Sequence, residues 1–202
     1  MNALADNDST EAFIKALTPL TTRMRNDVTW KKDENGKIAC QHYVPLSEKR
    51  LREHLNGTTA CGLCPIKEGE NTTRVALFDL DSHKGETSWE EMKKQAIRLF
   101  DHLEALGYYP IAFLSSGGKG IHIILIWDTP QHAYRVRQFL CEVLAALNFK
   151  QGTDGVAAGQ IEIFPKQNNV PIGGYGNMFI LPLAGKSVPL WRDLTTTQYG
   201  CV

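Results

Sequence analysis

Two carboxylates stand two residues apart at the end of an apolar run, and a third lies in a similar run far along the chain. Asp79 and Asp81 flank Leu80, and Glu162 lies between two isoleucines. Residues two apart in a strand project from the same face, so both aspartates are expected to point one way while Leu80 points into the core. Crowded carboxylates repel one another, and hard divalent cations relieve that repulsion. The pattern predicts a magnesium or manganese site that acts on phosphate.

A glycine-rich loop, Ser-Ser-Gly-Gly-Lys-Gly, occupies residues 115–120 directly before His122. Glycines let backbone amides approach an anion, and Lys119 adds a positive charge. The loop therefore predicts a cradle for a phosphate chain. A histidine in a strand as apolar as 121–126 is also compatible with a core or interface position.

Composition favours a single catalytic domain. The chain has 202 residues, 43% of them hydrophobic, with 22 basic and 22 acidic side chains, which is enough for a sizeable core. It has no long apolar stretch and no apolar signal at its N-terminus, so we expect no membrane span and a cytoplasmic protein. Five cysteines do not indicate a secreted disulfide framework. Because the net charge is zero, nucleic-acid binding must depend on local basic patches.

Turn and capping signals predict alternating helices and strands. Ser47 is expected to cap a short helix through Leu55, and Ser88 with Glu91 forms a capping box for a longer helix ended by Gly107. An Asn-Gly step at 35–36 favours a hairpin between 28–30 and 38–44. The remaining predicted elements are a helix from about Thr10 to Arg25, a helix from Pro130 to about Leu147, and strands near 62–66, 74–79, 110–114, 121–127, 160–164 and 178–183.

Three stretches, in this order and spacing, resemble the archaeo-eukaryotic primase superfamily: Phe78 to Asp81, Ser115 to His122, and Ile161 to Gln167, the last followed by a Gly-Asn step at 176–177 and Leu-Pro-Leu at 181–183. The closest resemblance is to bacterial and phage primase-polymerases of mobile-element conflict systems. Those proteins also carry a His-Leu-x-Gly stretch like 54–57 here. The resemblance covers roughly residues 40–186.

This resemblance implies an α/β fold of the primase-polymerase type, in which two small sheet-containing subdomains flank a catalytic cleft. It implies template-directed nucleotidyl transfer with two Mg²⁺ or Mn²⁺ ions. The expected partners are a single-stranded DNA template, a primer, nucleoside triphosphates and a fused or separate helicase, in a bacterial, plasmid or phage setting. We expect a helical extension over 1–30, the catalytic domain over 31–186, and a tail over 187–202 that leads to further domains.

The resemblance also implies roles for individual residues. The catalytic metal ligands would be Asp79, Asp81 and Glu162. The nucleotide-binding residues would be Ser116, Lys119, Gly120, His122, Lys166, Gln167 and Asn177.

This chain departs from the family pattern in two places. Gly120 stands where the family usually has serine, so a hydroxyl contact is missing unless the loop folds back and brings Ser115 or Ser116 to that place. Glu162 replaces an aspartate.

Other interpretations remain open. Cys61 and Cys64 have zinc-ligand spacing, with Cys40 and His42 as further ligands, but cysteines three apart in a strand point to opposite faces. The Phe-Asp-Leu-Asp stretch also resembles the nucleophile motif of haloacid-dehalogenase phosphohydrolases, although no acidic pair follows downstream. A non-catalytic DNA-binding module is the third alternative. The candidate phosphate-binding patches are Lys49, Arg50 and Arg52; Lys93, Lys94 and Arg98; and Arg135 with Arg137.

Overall fold

The computed structural model describes residues 11–12, 23–25, 43–45, 47–58, 60–82 and 86–196. These residues form two β-sheets, three α-helices and one short 3₁₀ helix. The helices are α1 (Glu48–Leu55), α2 (Trp89–Ala105) and α3 (Ala133–Ala146), with the 3₁₀ helix at Val156–Ala158. The strands are β1 (Arg23–Arg25), β2 (Tyr43–Pro45), β3 (Gly62–Leu63), β4 (Thr72–Leu80), β5 (Ile111–Leu114), β6 (Ile121–His132), β7 (Lys150–Gln151), β8 (Gln160–Phe164) and β9 (Phe179–Ile180).

The larger sheet has the strand order β5-β6-β4-β8-β7. Its strands are antiparallel to their neighbours except β7, which runs parallel to β8. The smaller sheet has the order β2-β1-β3-β9 and is antiparallel throughout. Strand β4 therefore lies at the centre of the larger sheet, with β6 and β8 on either side.

Alternation along β4 separates two cores. Ala76, Phe78 and Leu80 belong to the cluster that includes the apolar faces of α2 and α3. Val75 and Leu77 belong to a second cluster, which contains Leu51 of α1, Leu63 of β3 and Phe179 of β9. Successive side chains of a strand point to opposite faces, so the larger sheet packs between two helices on one face and the smaller sheet with α1 on the other.

Several predicted elements are present. The Ser47 and Ser88 hydroxyls accept hydrogen bonds from the backbone N–H groups of Arg50 and Glu91, at 3.3 and 3.2 Å, so both caps are confirmed. The predicted strands at 74–79, 110–114 and 160–164 are also confirmed, with ends that differ by a residue or two. The mixed α/β fold class is as predicted. The predicted hairpin turn at 35–36 lies outside the described residues.

Two element boundaries were predicted wrongly. Arg23–Arg25 was expected at the end of a helix but forms β1, because it pairs with both β2 and β3. Pro130 was expected to open a helix but lies within β6, and α3 begins at Ala133. The register between β4 and β6 shifts after Thr73, which leaves Pro130 in a bulge where no ladder N–H is needed.

His54 joins α1 to the smaller sheet from a completely buried position. Its Nε2 lies 2.7 Å from the Pro182 carbonyl oxygen, and its Nδ1 accepts a hydrogen bond from the Cys61 backbone N–H at 3.0 Å. A carbonyl only accepts, so the ring is the neutral form with its proton on Nε2. The two motif stretches at 54–57 and 181–183 are therefore linked directly by one imidazole.

We predict that His54 makes stability depend on pH. Burial lowers the pKa of His54 below its ordinary value of 6.5, and this outweighs the Pro182 hydrogen bond, which raises it. As the pH falls, His54 takes up its proton at a higher pH in the unfolded chain than in the folded chain. The stability that the neutral ring contributes is therefore complete above the unfolded pKa and is lost as the pH falls below it. At neutral pH, His54→Gln should lower the free energy of unfolding by about 1–3 kcal/mol.

The measurement is urea unfolding of both proteins at about pH 7 and about pH 5. The difference in unfolding free energy between wild type and His54→Gln should shrink at the lower pH. An equal difference at both pH values would contradict the proposed role of the neutral ring.

Candidate active site

The strand register brings together three residues that are distant in sequence. Asp79 on β4 is the direct partner of His122 on β6 and of Glu162 on β8. Directly opposed residues share a face, with their Cβ atoms roughly 4.5–5.5 Å apart. This face carries Val75 and Leu77 of β4, so it is the one that packs against the smaller sheet. The side chains therefore form a row where the apolar packing between the sheets ends.

A cleft of about 530 Å³ opens along this row. Both sheets contribute to it, because residues of β9 line it together with residues of β4, β6 and β8. Its lining includes Asp79, Asp81 and Glu162; Ser115, Ser116, Gly117, Lys119 and His122; and Phe164, Met178, Phe179 and Ile180. The three carboxylates and most of the glycine-rich loop thus face one space.

A smaller pocket of about 110 Å³ shares the same three carboxylates. Its other lining residues are Gly152, Thr153, Gly155 and Gln160, from β8 and the segment before it. Along the strand order, the large cleft extends towards β6 and β5, whereas the small pocket lies towards β7. The carboxylates therefore stand between two compartments of different size.

Each carboxylate has a partner within the chain. The Lys166 ammonium forms an ion pair with Glu162 Oε1. His122 Nε2 lies 3.4 Å from Asp79 Oδ1, and Asp81 Oδ1 accepts the Ser82 backbone N–H at 2.7 Å. In these orientations, no group of three or more His, Cys, Asp or Glu side chains among the described residues could hold a metal ion.

The donor set nevertheless fits a hard cation. Asp79, Asp81 and Glu162 offer only oxygen ligands and line both compartments, and oxygen is what Mg²⁺ and Mn²⁺ prefer. His122 Nδ1 is buried and has no hydrogen-bond partner within the described part of the chain. A buried polar atom without a partner is costly, and this one belongs to the ring whose Nε2 lies 3.4 Å from Asp79 Oδ1.

The glycine-rich loop folds back on itself. The Ser115 backbone N–H donates to the Gly120 carbonyl oxygen at 2.8 Å, and the Gly120 N–H donates to Ser115 Oγ at 2.9 Å. A Cβ on Gly120 would lie 2.6 Å from the Leu80 carbonyl oxygen and 3.3 Å from Ser115 Oγ. This backbone therefore has no room for the serine that the family usually carries, and the Ser115 hydroxyl lies beside that place.

Four of the residues predicted to bind nucleotide do not line the cleft. Gly120 is buried, and Lys166 is paired with Glu162. Gln167 Oε1 accepts the Asn177 backbone N–H at 2.9 Å, so this pair holds the loop before β9. The sequence did not indicate several other residues that line the cleft and the small pocket. The residues around β9 are apolar, which is typical of a hydrophobic core, and no motif marks the small pocket. The missed residues are Gly152, Thr153, Gly155, Gln160, Phe164, Met178, Phe179 and Ile180.

Cys61 and Cys64 pack into different hydrophobic clusters, as expected for side chains on opposite faces of a strand. Cys61 belongs to the cluster between the sheets and Cys64 to a smaller one. Burial raises the pKa of Cys61 to about 12 and also raises the pKa of Cys64, which disfavours the thiolate that zinc requires. The other two proposed zinc ligands, Cys40 and His42, lie outside the described residues.

The basic helical patches are largely paired on their own helices. On α1, Arg50 bonds Glu53 at 2.8 Å and Arg52 bonds Glu48 at 2.6 Å. On α2, Lys93 bonds Glu90 at 2.9 Å. Such pairs are typical of solvated helix faces. None of the described helices is long and apolar enough to cross a membrane.

We predict that Gly120→Ala destabilises the fold, because its Cβ would meet the Leu80 backbone oxygen at 2.6 Å. The backbone must shift to relieve this contact, which typically costs about 1–3 kcal/mol. Gly117→Ala is the matched control, since its Cβ has no neighbour within 4 Å. Urea unfolding of both variants measures the difference, and equal stability of the two would contradict this geometry.

Comparisons with known proteins gave one family match and several similar solved structures. A model described as the archaeo-eukaryotic primase domain of the TOTE conflict system matches residues 10–190. The polymerase domain from Mycobacterium tuberculosis ligase D, in complex with DNA, aligns with 14% identity and a TM-score of 0.48, over 87% of this chain and 75% of that one. The archaeo-eukaryotic primase domain of the cyanophage S-2L primase-polymerase aligns with 14% identity and a TM-score of 0.43, over 82% and 92%. No curated protein matches.

The family match spans nearly the whole chain and confirms the superfamily predicted from the motifs. It sets aside the haloacid-dehalogenase interpretation and supports a primase-type nucleotidyltransferase function. The chain belongs to the archaeo-eukaryotic primase domains of TOTE conflict systems.

Proposed function

We propose that this domain is a template-directed nucleotidyltransferase that joins nucleoside triphosphates into a strand on single-stranded DNA. The observation that carries the proposal is the strand register, which sets Asp79 between His122 and Glu162 at the mouth of one cleft. The glycine-rich loop, which includes Lys119, lines the same cleft. Acidic groups beside a basic, glycine-rich loop are what transfer of a nucleotidyl group requires.

Asp79, Asp81 and Glu162 would hold Mg²⁺ or Mn²⁺, which when bound supplies positive charge to the attacking and leaving oxygens. The protein's own contribution is positional. The β4 and β8 backbones fix two of the carboxylates through ladder hydrogen bonds. Positioning of this kind avoids reorganisation during the reaction, which is where much of enzymatic rate acceleration originates.

The two compartments suit the geometry of the reaction. In an in-line displacement, the attacking and leaving oxygens lie on opposite sides of the reacting phosphorus. We assign the large cleft, which the Ser115–Gly120 loop borders, to the incoming triphosphate. The smaller pocket on the other side of the carboxylates then faces the strand being extended.

Within the large cleft, Lys119 and His122 are the groups suited to phosphate. Lys119 is exposed and forms no ion pair with any described residue. His122 is nearly buried beside Asp79, so its ring is held in place by the surrounding sheet. We propose that His122 donates a hydrogen bond to the nucleotide's phosphates.

We also propose that a primer and a fused or separate helicase act with this domain.

The test of the function is a gel assay with labelled primer, single-stranded DNA template, nucleoside triphosphates and Mn²⁺. Asp79→Asn, Asp81→Asn and Glu162→Gln should each slow chain extension at least about 100-fold. Each removes one negative charge from the group that would hold the metal ion, and such an ion stabilises the charge of the transition state by several kcal/mol. Folding should be nearly unchanged, because the loss of one partly exposed contact is small and is offset by weaker repulsion among the remaining carboxylates.

Asp128→Asn is the control for this series, because Asp128 is exposed on β6 and lines neither compartment. Phosphate release without chain growth would indicate a hydrolase instead. A salt-sensitive gel shift without synthesis would indicate a DNA-binding module. Extension by Asp79→Asn at the wild-type rate would remove the carboxylates from the reaction.

A separate prediction concerns His122→Ala. The variant loses a donor to the phosphates, so the apparent KM for nucleotide should rise about tenfold, the effect of losing a hydrogen bond to a charged group. Steady-state extension at varied nucleotide concentration measures this change. The KM for the primer-template should stay the same, and an unchanged nucleotide KM would place His122 outside the binding site.

A further inference from the structure

The ion pair between Lys166 and Glu162 stands at the proposed metal site. Both residues are only partly exposed, at 28% and 22% of their side chains. Lys166 follows the end of β8, and its Nζ also lies 4.9 Å from the centre of the Phe164 ring. The ammonium is therefore held by a carboxylate and by an aromatic face at the same time.

This placement gives Lys166 a different role from the nucleotide contact predicted from the sequence. Glu162 is the register partner of Asp79, so without a cation two carboxylates would oppose each other across neighbouring strands. Like charges directly opposite each other destabilise a sheet. Lys166 neutralises one of the two, whereas His122 faces the other.

We propose that Lys166 is the resident counter-ion of the carboxylate cluster and competes with the divalent metal ion for Glu162. This inference rests on the proposed function, since it takes Glu162 as a metal ligand. A divalent ion that binds Glu162 must displace the ammonium and is repelled by it. Lys166 therefore lowers the metal affinity of the free protein while stabilising the metal-free fold.

The two effects have opposite signs, which separates this role from a merely structural one. Lys166→Met should lower the unfolding temperature of the metal-free protein, because the carboxylates lose their neutralising charge. The same variant should bind Mn²⁺ more tightly, with Kd lower by roughly two- to fivefold, because a partly exposed ion pair no longer has to be broken. A residue that only supports the fold would weaken both properties.

The experiment is titration of Mn²⁺ into nucleotide-free protein, followed by calorimetry and by the electron paramagnetic resonance signal of free Mn²⁺, at one fixed salt concentration. Lys119→Met is the matched control. Lys119 lines the cleft that Glu162 also lines and carries the same charge as Lys166, but it forms no ion pair in the described part of the chain, so it reports the general effect of removing a cation. Lys166→Gln provides a second variant if Lys166→Met folds poorly.

A double-mutant cycle tests the partner. Glu162→Gln should weaken Mn²⁺ binding, and adding Lys166→Met to it should bring no further gain, because the competition requires the Glu162 carboxylate. The proposal is overturned if Lys166→Met binds Mn²⁺ no more tightly than wild type, or gains no more than Lys119→Met. If wild type and Asp79→Asn bind Mn²⁺ equally, or neither binds it, the metal assignment of the proposed function fails as well.

Discussion

The register of β4 between β6 and β8 is the constraint on which the site depends. Asp79 is opposed on both sides, so the three strands must be paired without slippage for the acidic row to exist. A shift of one residue would turn Asp79 towards the helices and Phe78 towards the cleft. The register is secured by burial on both faces, since Phe78 packs against α2 and α3 while Leu77 packs between the sheets. The hydrophobic core thus determines where the charges lie.

Placing these carboxylates close together costs free energy, and neighbouring basic groups offset part of that cost. Asp79 and Glu162 lie at the edge of an apolar interface, where water screens them less than on an open surface. The Lys166 ammonium and the His122 ring each lie against one of them. Both contacts place a basic group against a carboxylate of the row and so reduce the repulsion between Asp79 and Glu162.

Much of this architecture could be predicted from the sequence, for physical reasons that can be named. The apolar runs before Asp79 and around Glu162 give buried strands, and the serine caps at 47 and 88 fix two helix starts. Pairing between β4 and β8 could not be derived from the residues, because it joins segments more than 80 positions apart in the chain. Only the family resemblance placed Glu162 with the aspartates. Strands β3 and β9 lie within the predicted strands near 62–66 and 178–183 but span only two residues each, whereas β7 was not predicted, because two residues carry no periodic pattern.

The glycine-rich loop shows why a motif residue must be interpreted with its backbone. At the sequence level, Gly120 is a missing serine. In the folded chain it is the residue that lets β6 begin against the end of β4, because a Cβ there would collide with the Leu80 carbonyl oxygen. Ser115 then closes the loop with its own hydroxyl. Ser115 and Gly120 thus close the loop by bonding to each other. Ser116 and Lys119, which lie between them, line the cleft. In this loop, the glycine that departs from the family pattern is what allows the close approach of β6 to the end of β4.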